Sequence, residues 1–408
     1  MTTLSDPVEF DPAEFDLYGQ AVIADPYPTY RAMRGVAPLV KVGGAWYVTT
    51  YALADKVLKD QTFGRGEKYG TLMRNALGDG PLLDSLSKWI LYLDPPDHTR
   101  IRSLVMRAFT PRAVSRLRDR IQTMVDELVN EFGRQPETDF LRDFAYPLPV
   151  QVICELLGVP VEDREEFKTW SADLGRGLAI MTATPEIVAR GNVAAASLGE
   201  YFRALIDDRR VSPRESFLDD LIAAEYQGGS LSEDELLATV GLLFFAGHET
   251  TVNLMGNGLV AMLRAPGQWA ALRADPGLAR AAVEEMLRFD TPVQRVSRVA
   301  LDDVELAGER VAAGEMVNVI IAGANRDPAQ FHDPDSFIIG RADGSHLAFA
   351  AGPHYCVGAT LARVEAEIAM ATLARRCPGL ALASEELTFR QNVILRGLES
   401  VPVSCPAA

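Results

Sequence analysis

Apolar residues recur along most of this chain at helical spacing. Ala113 to Phe132 alternates apolar and charged positions with that period, and Pro185 to Arg210 does the same. The longest helical pattern runs from Ser232 to Leu263; Ser232 followed three residues on by Glu235 is a capping box. Pro28 to Gly35 predicts a short helix with proline at its start and glycine at its end. Ala359 to Arg375 is another helix-forming run. Strand-like alternation is confined to Ala45–Thr50, Val299–Val317 and Leu387–Val403. Phe63 to Tyr92 is rich in Gly and Leu with weak periodicity, which predicts a long mobile loop. The sum is a mainly α fold with small peripheral β-sheets: a β-rich first part, about 1–100, and a helix-rich part, about 97–380.

Composition narrows the class. The chain has 408 residues, 48% of them apolar, which makes it globular; this length allows two or three domains, but no linker, low-complexity tract or repeat marks a cut. Met1 to Ala24 has neither a basic start nor a long apolar run, and the longest apolar stretch, near Gly241 to Ala246, is far too short to span a bilayer. A soluble cytoplasmic protein is expected, with no membrane partner. The net charge of −16 also argues against nucleic acid. One segment inverts it: from His98 to Arg120 there are seven arginines and one acid, Asp119.

Four cysteines (Cys154, Cys356, Cys377, Cys405) are widely spaced, with neither a disulfide framework nor a zinc pattern. Cys356 stands apart. It lies in the loop Phe349-Ala350-Ala351-Gly352-Pro353-His354-Tyr355-Cys356-Val357-Gly358, just before a helix. Helix N-terminal N–H groups aimed at sulfur favour a thiolate, and Gly352 and Gly358 let backbone or a flat ligand come close. A single thiolate on an open loop suits haem iron better than zinc, which needs several ligands.

This loop resembles the haem-ligand loop of the cytochromes P-450, Phe-x-x-Gly-x-x-x-Cys-x-Gly, with Phe349, Gly352, Cys356 and Gly358 at its four fixed positions. Ala350 departs from the glycine that many members carry. The resemblance covers nearly the whole chain. It implies one domain over 1–408 with a long central helix crossing the haem, haem b as cofactor, and Cys356 as the iron ligand.

Within the central helix, Ala246-Gly247-His248-Glu249-Thr250-Thr251 places glycine and two threonines where helices disfavour them. Threonine hydroxyls there can bond back to carbonyls and open the ladder, and an adjacent acid and alcohol can hold water and deliver protons. The segment resembles the family's Ala-Gly-x-(Asp/Glu)-Thr motif. On that resemblance Ala246 and Gly247 lie against the haem, Gly247 makes room for dioxygen, Thr250 hydrogen-bonds the oxygen bound there, and Glu249 relays protons.

Glu285 and Arg288, at i and i+3, read by themselves as a surface ion pair worth ~0.2–0.5 kcal/mol. Their position resembles the family's Glu-x-x-Arg motif, and the segment from Asn325 through Arg341 its meander, so the three side chains would hold the cysteine loop. His98 and Arg102, one helical turn apart, together with Arg298 and His354, resemble the clamp on the two haem propionates; arginine binds carboxylates bidentately. By family position Leu243, Ala246, Val293, Val296 and Ile394 would touch substrate, as would parts of 63–92 and of Leu174–Met181.

The function implied is a haem-thiolate monooxygenase that hydroxylates or epoxidises a hydrophobic small molecule, a polyketide, peptide or terpenoid in natural-product biosynthesis. Its co-substrate is dioxygen. No flavin or ferredoxin domain is fused, so a separate ferredoxin and ferredoxin reductase would supply electrons to a monomer, with the arginine-rich segment as docking surface. Two alternatives share features of the sequence: oxidative coupling or desaturation by the same motifs, and a non-catalytic haem-binding or recruitment protein, which the presence of both Glu249 and Thr250 disfavours.

Overall fold

The computed structural model describes residues 9–11, 14–109, 111–132, 137–160, 163–214, 216–225 and 229–405. Helices dominate. The central one, Glu233–Leu263, is apolar almost all round, as a helix buried inside a larger core must be. Its first turn carries Glu233, Asp234 and Glu235, where negative charge meets the positive end of the helix dipole. The capping box forms as expected: Ser232 Oγ accepts from the Glu235 N–H, and Glu235 Oε2 accepts from the Ser232 N–H at 2.8 Å.

Around it pack Pro147–Leu157, Arg164–Gly177, Pro185–Val211, Ala279–Phe289 and Ala359–Arg376, enclosing one large apolar cluster that includes Phe167, Phe202, Phe244, Leu259 and Met286. The helix Asp97–Ala108 carries His98 and Arg102, and Pro111–Phe132 packs along Ala359–Arg376.

A six-stranded sheet sits to one side, in the spatial order Glu9–Phe10, Leu39–Val42, Ala45–Val48, Met316–Val319, Val296–Ala300, Phe63–Gly64. Antiparallel pairing of Val296↔Val319 and Arg298↔Val317 fixes which side of the strand Arg298 points to. A second sheet joins Ala381–Leu382, Pro402–Ser404 and Glu137–Asp139, and Val304–Leu306 pairs with Glu309–Val311.

Residues 63–92 correct the sequence reading. They fold into the helices Gly66–Leu77 and Pro81–Leu86 and a 3-10 turn at Ile90–Tyr92, with Tyr69, Met73, Leu82, Leu86 and Trp89 buried. The helices are too short for a period to stand out, and glycines at positive φ (Gly66, Gly78, Gly80) punctuate them. In 387–403 the alternation yields only isolated pairings, Phe389↔Leu398 and Val293↔Leu395, before the strand Pro402–Ser404.

Candidate active site

Of the four cysteines, Cys154, Cys377 and Cys405 are buried and Cys356 is exposed. The loop turns tightly: Cys356 N–H donates to Phe349 O at 3.0 Å, and Gly352–His354 forms a single 3-10 turn. Gly352 is at φ +68, and a Cβ there would lie 2.5 Å from Leu58 O, so only glycine fits. Ala350 adopts φ +57, where a glycine would be unstrained. The N–H groups of Gly358 and Ala359 bond the sulfur, and Arg102 and Arg363 add positive charge. Burial nevertheless wins and raises the thiol above its ordinary value. The residue as a whole is exposed, yet protein crowds its thiol. The dipole argument from sequence therefore has the right sign, but the helix end does not outweigh desolvation.

The middle of the central helix is open in places. Leu243, Ala246, Gly247, Glu249 and Thr250 are partly or fully exposed, while Phe244, Phe245, His248 and Thr251 are buried. Thr250 Oγ1 donates to Ala246 O at 3.0 Å and Thr251 Oγ1 to Gly247 O at 3.3 Å. The back-bonding is as expected, but the helix runs on unbroken through it. A Cβ on Gly247 would meet Ile153 Cδ1 at 2.9 Å, so this glycine is required for close packing against Pro147–Leu157. His248 is buried, with Nδ1 2.7 Å from Phe244 O, and faces the core. Glu249 Oε1 lies 2.7 Å from Arg390 Nη1, a partner absent from the sequence reading. Val293, Val296 and Ile394 are partly exposed apolar side chains beside buried neighbours. The Met181 side chain falls outside the described residues.

The basic residues converge. His98 and His354 rings are 4.2 Å apart, and Arg102 Nη2 donates to Tyr355 O at 2.6 Å. Arg298 is 2% exposed and donates to Ser297 O. A further member, Arg65, was missed: it is buried, bonds Leu91 O and Ser297 O, and stacks on Tyr69 and Tyr92. It lies within the segment read as a loop, so nothing in the sequence singled it out. The single acid named among these charges is Asp94, whose carboxylate is taken up by the N–H groups of Arg65 and Gly66. The consequence is strong mutual destabilisation of positive charge. Burial, then Arg65, pushes Arg298 down to about 9; burial, then Arg298, pushes His354 down to about 2; burial and Arg102 lower His98. His98 Nε2 has no partner among the described residues.

The two histidines are thereby held neutral, Arg65 and Arg298 stay buried with Asp94 nearby, and buried positive charge short of counter-charge is costly, so this cluster calls for a further anion. A flat ligand with two carboxylates would supply that charge, with Cys356 available to hold its metal. Haem fits.

Behind the cysteine, Glu285 binds Arg288 bidentately at 2.7 and 2.8 Å, Arg341 Nε at 2.9 Å and the Ile338 N–H at 2.7 Å. Arg288 and Arg341 also donate to carbonyls of 325–336. Both members of the Glu285–Arg288 pair are 3% exposed, so this is a buried knot and not a surface pair. Asn325 Oδ1 then accepts from Leu347 N–H, which ties the knot to the loop. A second clasp missed from sequence joins His346 and Arg363 to Glu284, with Arg363 4.5 Å over the Phe349 ring.

Comparison with known proteins agrees with this geometry. A family model, cytochrome P450, matches residues 44–395. The chain is 40% identical to the cytochrome P450 monooxygenase PikC of Streptomyces venezuelae, over 98% of this chain and 95% of PikC. It is 39% identical to the polyketide biosynthesis cytochrome P450 PksS of Bacillus subtilis, over 88% and 89%. The crystal structure of CalO2 superposes with a TM-score of 0.91 at 35% identity, covering 98% of this chain and 99% of that one. The chain therefore belongs to the cytochrome P450 family, whose members bind haem b.

Proposed function

We propose that this protein is a haem-thiolate monooxygenase that hydroxylates or epoxidises a hydrophobic small molecule in natural-product biosynthesis. The observation that carries the reading is the exposed Cys356, bonded by the first N–H groups of the following helix and set beside Arg102 of a cluster of basic residues that includes the buried Arg298 and Arg65. Relatives named for monooxygenation and for polyketide biosynthesis support the reaction and the substrate class.

When bound, haem supplies the activation of dioxygen and the one-electron steps; the protein supplies placement, protons and dryness. Cys356 would hold the iron. Arg298, Arg102, His98 and His354 would bind the two carboxylates, with Arg65 buttressing them. The Glu285 knot keeps the cysteine loop in register. Leu243, Val293, Val296 and Ile394 present an apolar wall to substrate. Thr250 offers a hydroxyl, and Glu249, one residue before it, exchanges its proton with solvent.

Electrons come from a ferredoxin, itself reduced by ferredoxin reductase, docking on the face that carries Asp97–Ala108 and the cysteine loop. Arg107 and Tyr355 are exposed there. The basic surface is thinner than the arginine count suggests, because Arg100 pairs with Glu235, Arg118 with Glu367 and Arg120 with Glu155. The Arg112 and Arg116 side chains lie outside the described residues. Among the described residues no helix is long and apolar enough to cross a membrane. A cytoplasmic monomer is the working assignment.

The ferrous protein with carbon monoxide tests the core of this. It should show the red-shifted Soret band of thiolate ligation. Cys356→Ala should abolish the band while Cys154→Ala, Cys377→Ala and Cys405→Ala keep it. Persistence of the band in Cys356→Ala overturns the assignment.

A further inference from the structure

Glu249 is the single formally charged residue of the central helix between Leu236 and Leu263. A charge inside a buried helix needs a partner, and the partner comes from far along the chain: Arg390 Nη1, 2.7 Å from Glu249 Oε1. The carboxylate is 14% exposed and the guanidinium 37%, so the arginine is the more open member of the pair.

Arg390 belongs to a hairpin, 389–398, closed by the Phe389↔Leu398 bridge and by Arg390 N–H donating to Gly397 O at 2.9 Å. Residues 390 and 397 are thus cross-strand neighbours. Gly397 rests on Asn253, one helical turn beyond Glu249: a Cβ on Gly397 would fall 2.0 Å from Asn253 Oδ1. One turn further, Asn257 Nδ2 donates to Arg396 O at 3.0 Å. Three successive turns of the central helix, at 249, 253 and 257, therefore each seat against the hairpin. This register sets where Arg390 can reach.

The hairpin also grips the helix Arg164–Gly177. Asn392 Oδ1 accepts from the N–H groups of Ile394 and Leu395, and its Nδ2 donates to Gly175 O at 3.3 Å. Gly175 closes the helix Arg164–Gly177, whose Asp173 binds both its own Arg176 and Arg190 of Pro185–Val211. A cavity of about 300 Å³ lies between these helices and the hairpin tip, with Gln391 and Asn392 in its wall.

We propose that Arg390 is a positioning residue for Glu249, and that its reach is set by the seats of its hairpin on the central helix and on Arg164–Gly177. This rests on Glu249 being the proton relay. With the hairpin seated, Arg390 holds the carboxylate of Glu249 in one place; loosening the seat at Asn392 or at Gly397 loosens that hold.

The test uses haem-loaded protein with NADPH, ferredoxin reductase and ferredoxin as electron source and no substrate. Dioxygen then leaves as peroxide (two electrons, two protons) or as two waters (four of each), and the ratio reports proton delivery. Arg390→Gln and Gly397→Ala should each change the peroxide-to-water ratio at least ~3-fold and alter its solvent deuterium isotope effect in the same direction. The double variant should do no more than the larger single one, because both act through one contact. Arg390→Lys should restore at least half of the effect. Asn392→Ala should shift the ratio in the same direction and speed hydrogen exchange of the amides at 174–178. The carbon monoxide band reports folding of each variant, and if Gly397→Ala fails to fold, Arg390→Gln decides alone. An unchanged ratio and isotope effect in Arg390→Gln overturns the proposal. Absence of the thiolate band in the unmodified protein overturns the parent reading instead.

Discussion

Replacing Arg298 by glutamine should stabilise the haem-free protein while weakening its hold on haem. The guanidinium is 2% exposed, and burial with Arg65 nearby pushes it down to about 9 from an ordinary 12.5. That difference corresponds to a penalty on the order of 5 kcal/mol for keeping the charge. The folded state holds this proton less tightly than the unfolded chain does. The penalty is therefore fully present at pH 7 and fades only as pH rises from about 9 toward 12.5. Without haem, Arg298→Gln should remove most of it; after the desolvation cost of the amide, a gain of ~2–4 kcal/mol is expected. For a chain of 408 residues that is a rise of ~2–5 °C in melting temperature. With haem, the variant forfeits a charge-assisted bond to a propionate worth ~1.5–3 kcal/mol. Haem affinity should then fall roughly 10- to 150-fold. Melting curves of the haem-free protein and transfer of haem to an acceptor globin measure the two limbs. A haem-free variant that melts below the unmodified protein, or an unchanged transfer rate, refutes the account of the cluster as a site awaiting carboxylates.

Glu285→Gln should cost ~3–5 kcal/mol, because it leaves Arg288 and Arg341 buried without their shared counter-charge. A drop of ~4–6 °C in the melting point of the haem-loaded protein is expected, and a shift under 1 °C would return the pair to a minor role. Glu365 is fully buried in the helix after Cys356, with Oε2 unpartnered among the described residues, and burial raises its carboxyl well above the ordinary range. It folds protonated, so its cost is absent at acid pH and grows as pH rises above the carboxyl's ordinary value. Glu365→Gln should thus melt like the unmodified protein near pH 5 and higher at pH 8; equal melting at both would contradict a buried neutral acid. Thr250→Ala should keep full haem content while releasing more peroxide per electron pair consumed, measured with the same redox chain. Unchanged peroxide would reduce Thr250 to a helix residue whose hydroxyl only bonds Ala246 O.

Local patterns legible in one stretch of chain carried the sequence reading a long way. The capping box at Ser232 needs only residues three apart, and the helical period of 113–132 and 359–375 needs only the next turn. The cysteine loop is likewise written in ten consecutive residues, and its glycine at 352 answers a steric demand that glycine alone meets. What escaped was everything that depends on residues meeting across the fold. Residues 63–92 looked like loop because each helix there is only a turn or three long and is held by burial of Tyr69, Leu82 and Trp89 in a core built from elsewhere. Glu285 and Arg288 looked like a surface pair because exposure is not encoded by spacing; only packing against 325–341 buries them. Arg65 enters the cation cluster, and Arg390 reaches Glu249 across 141 positions, through pairings that no local period reports. Helix and loop chemistry act over a few bonds and can be read along the chain. Charge neutrality and close packing act through space, so the partners of Glu249 and Arg298 were decided by the tertiary structure alone.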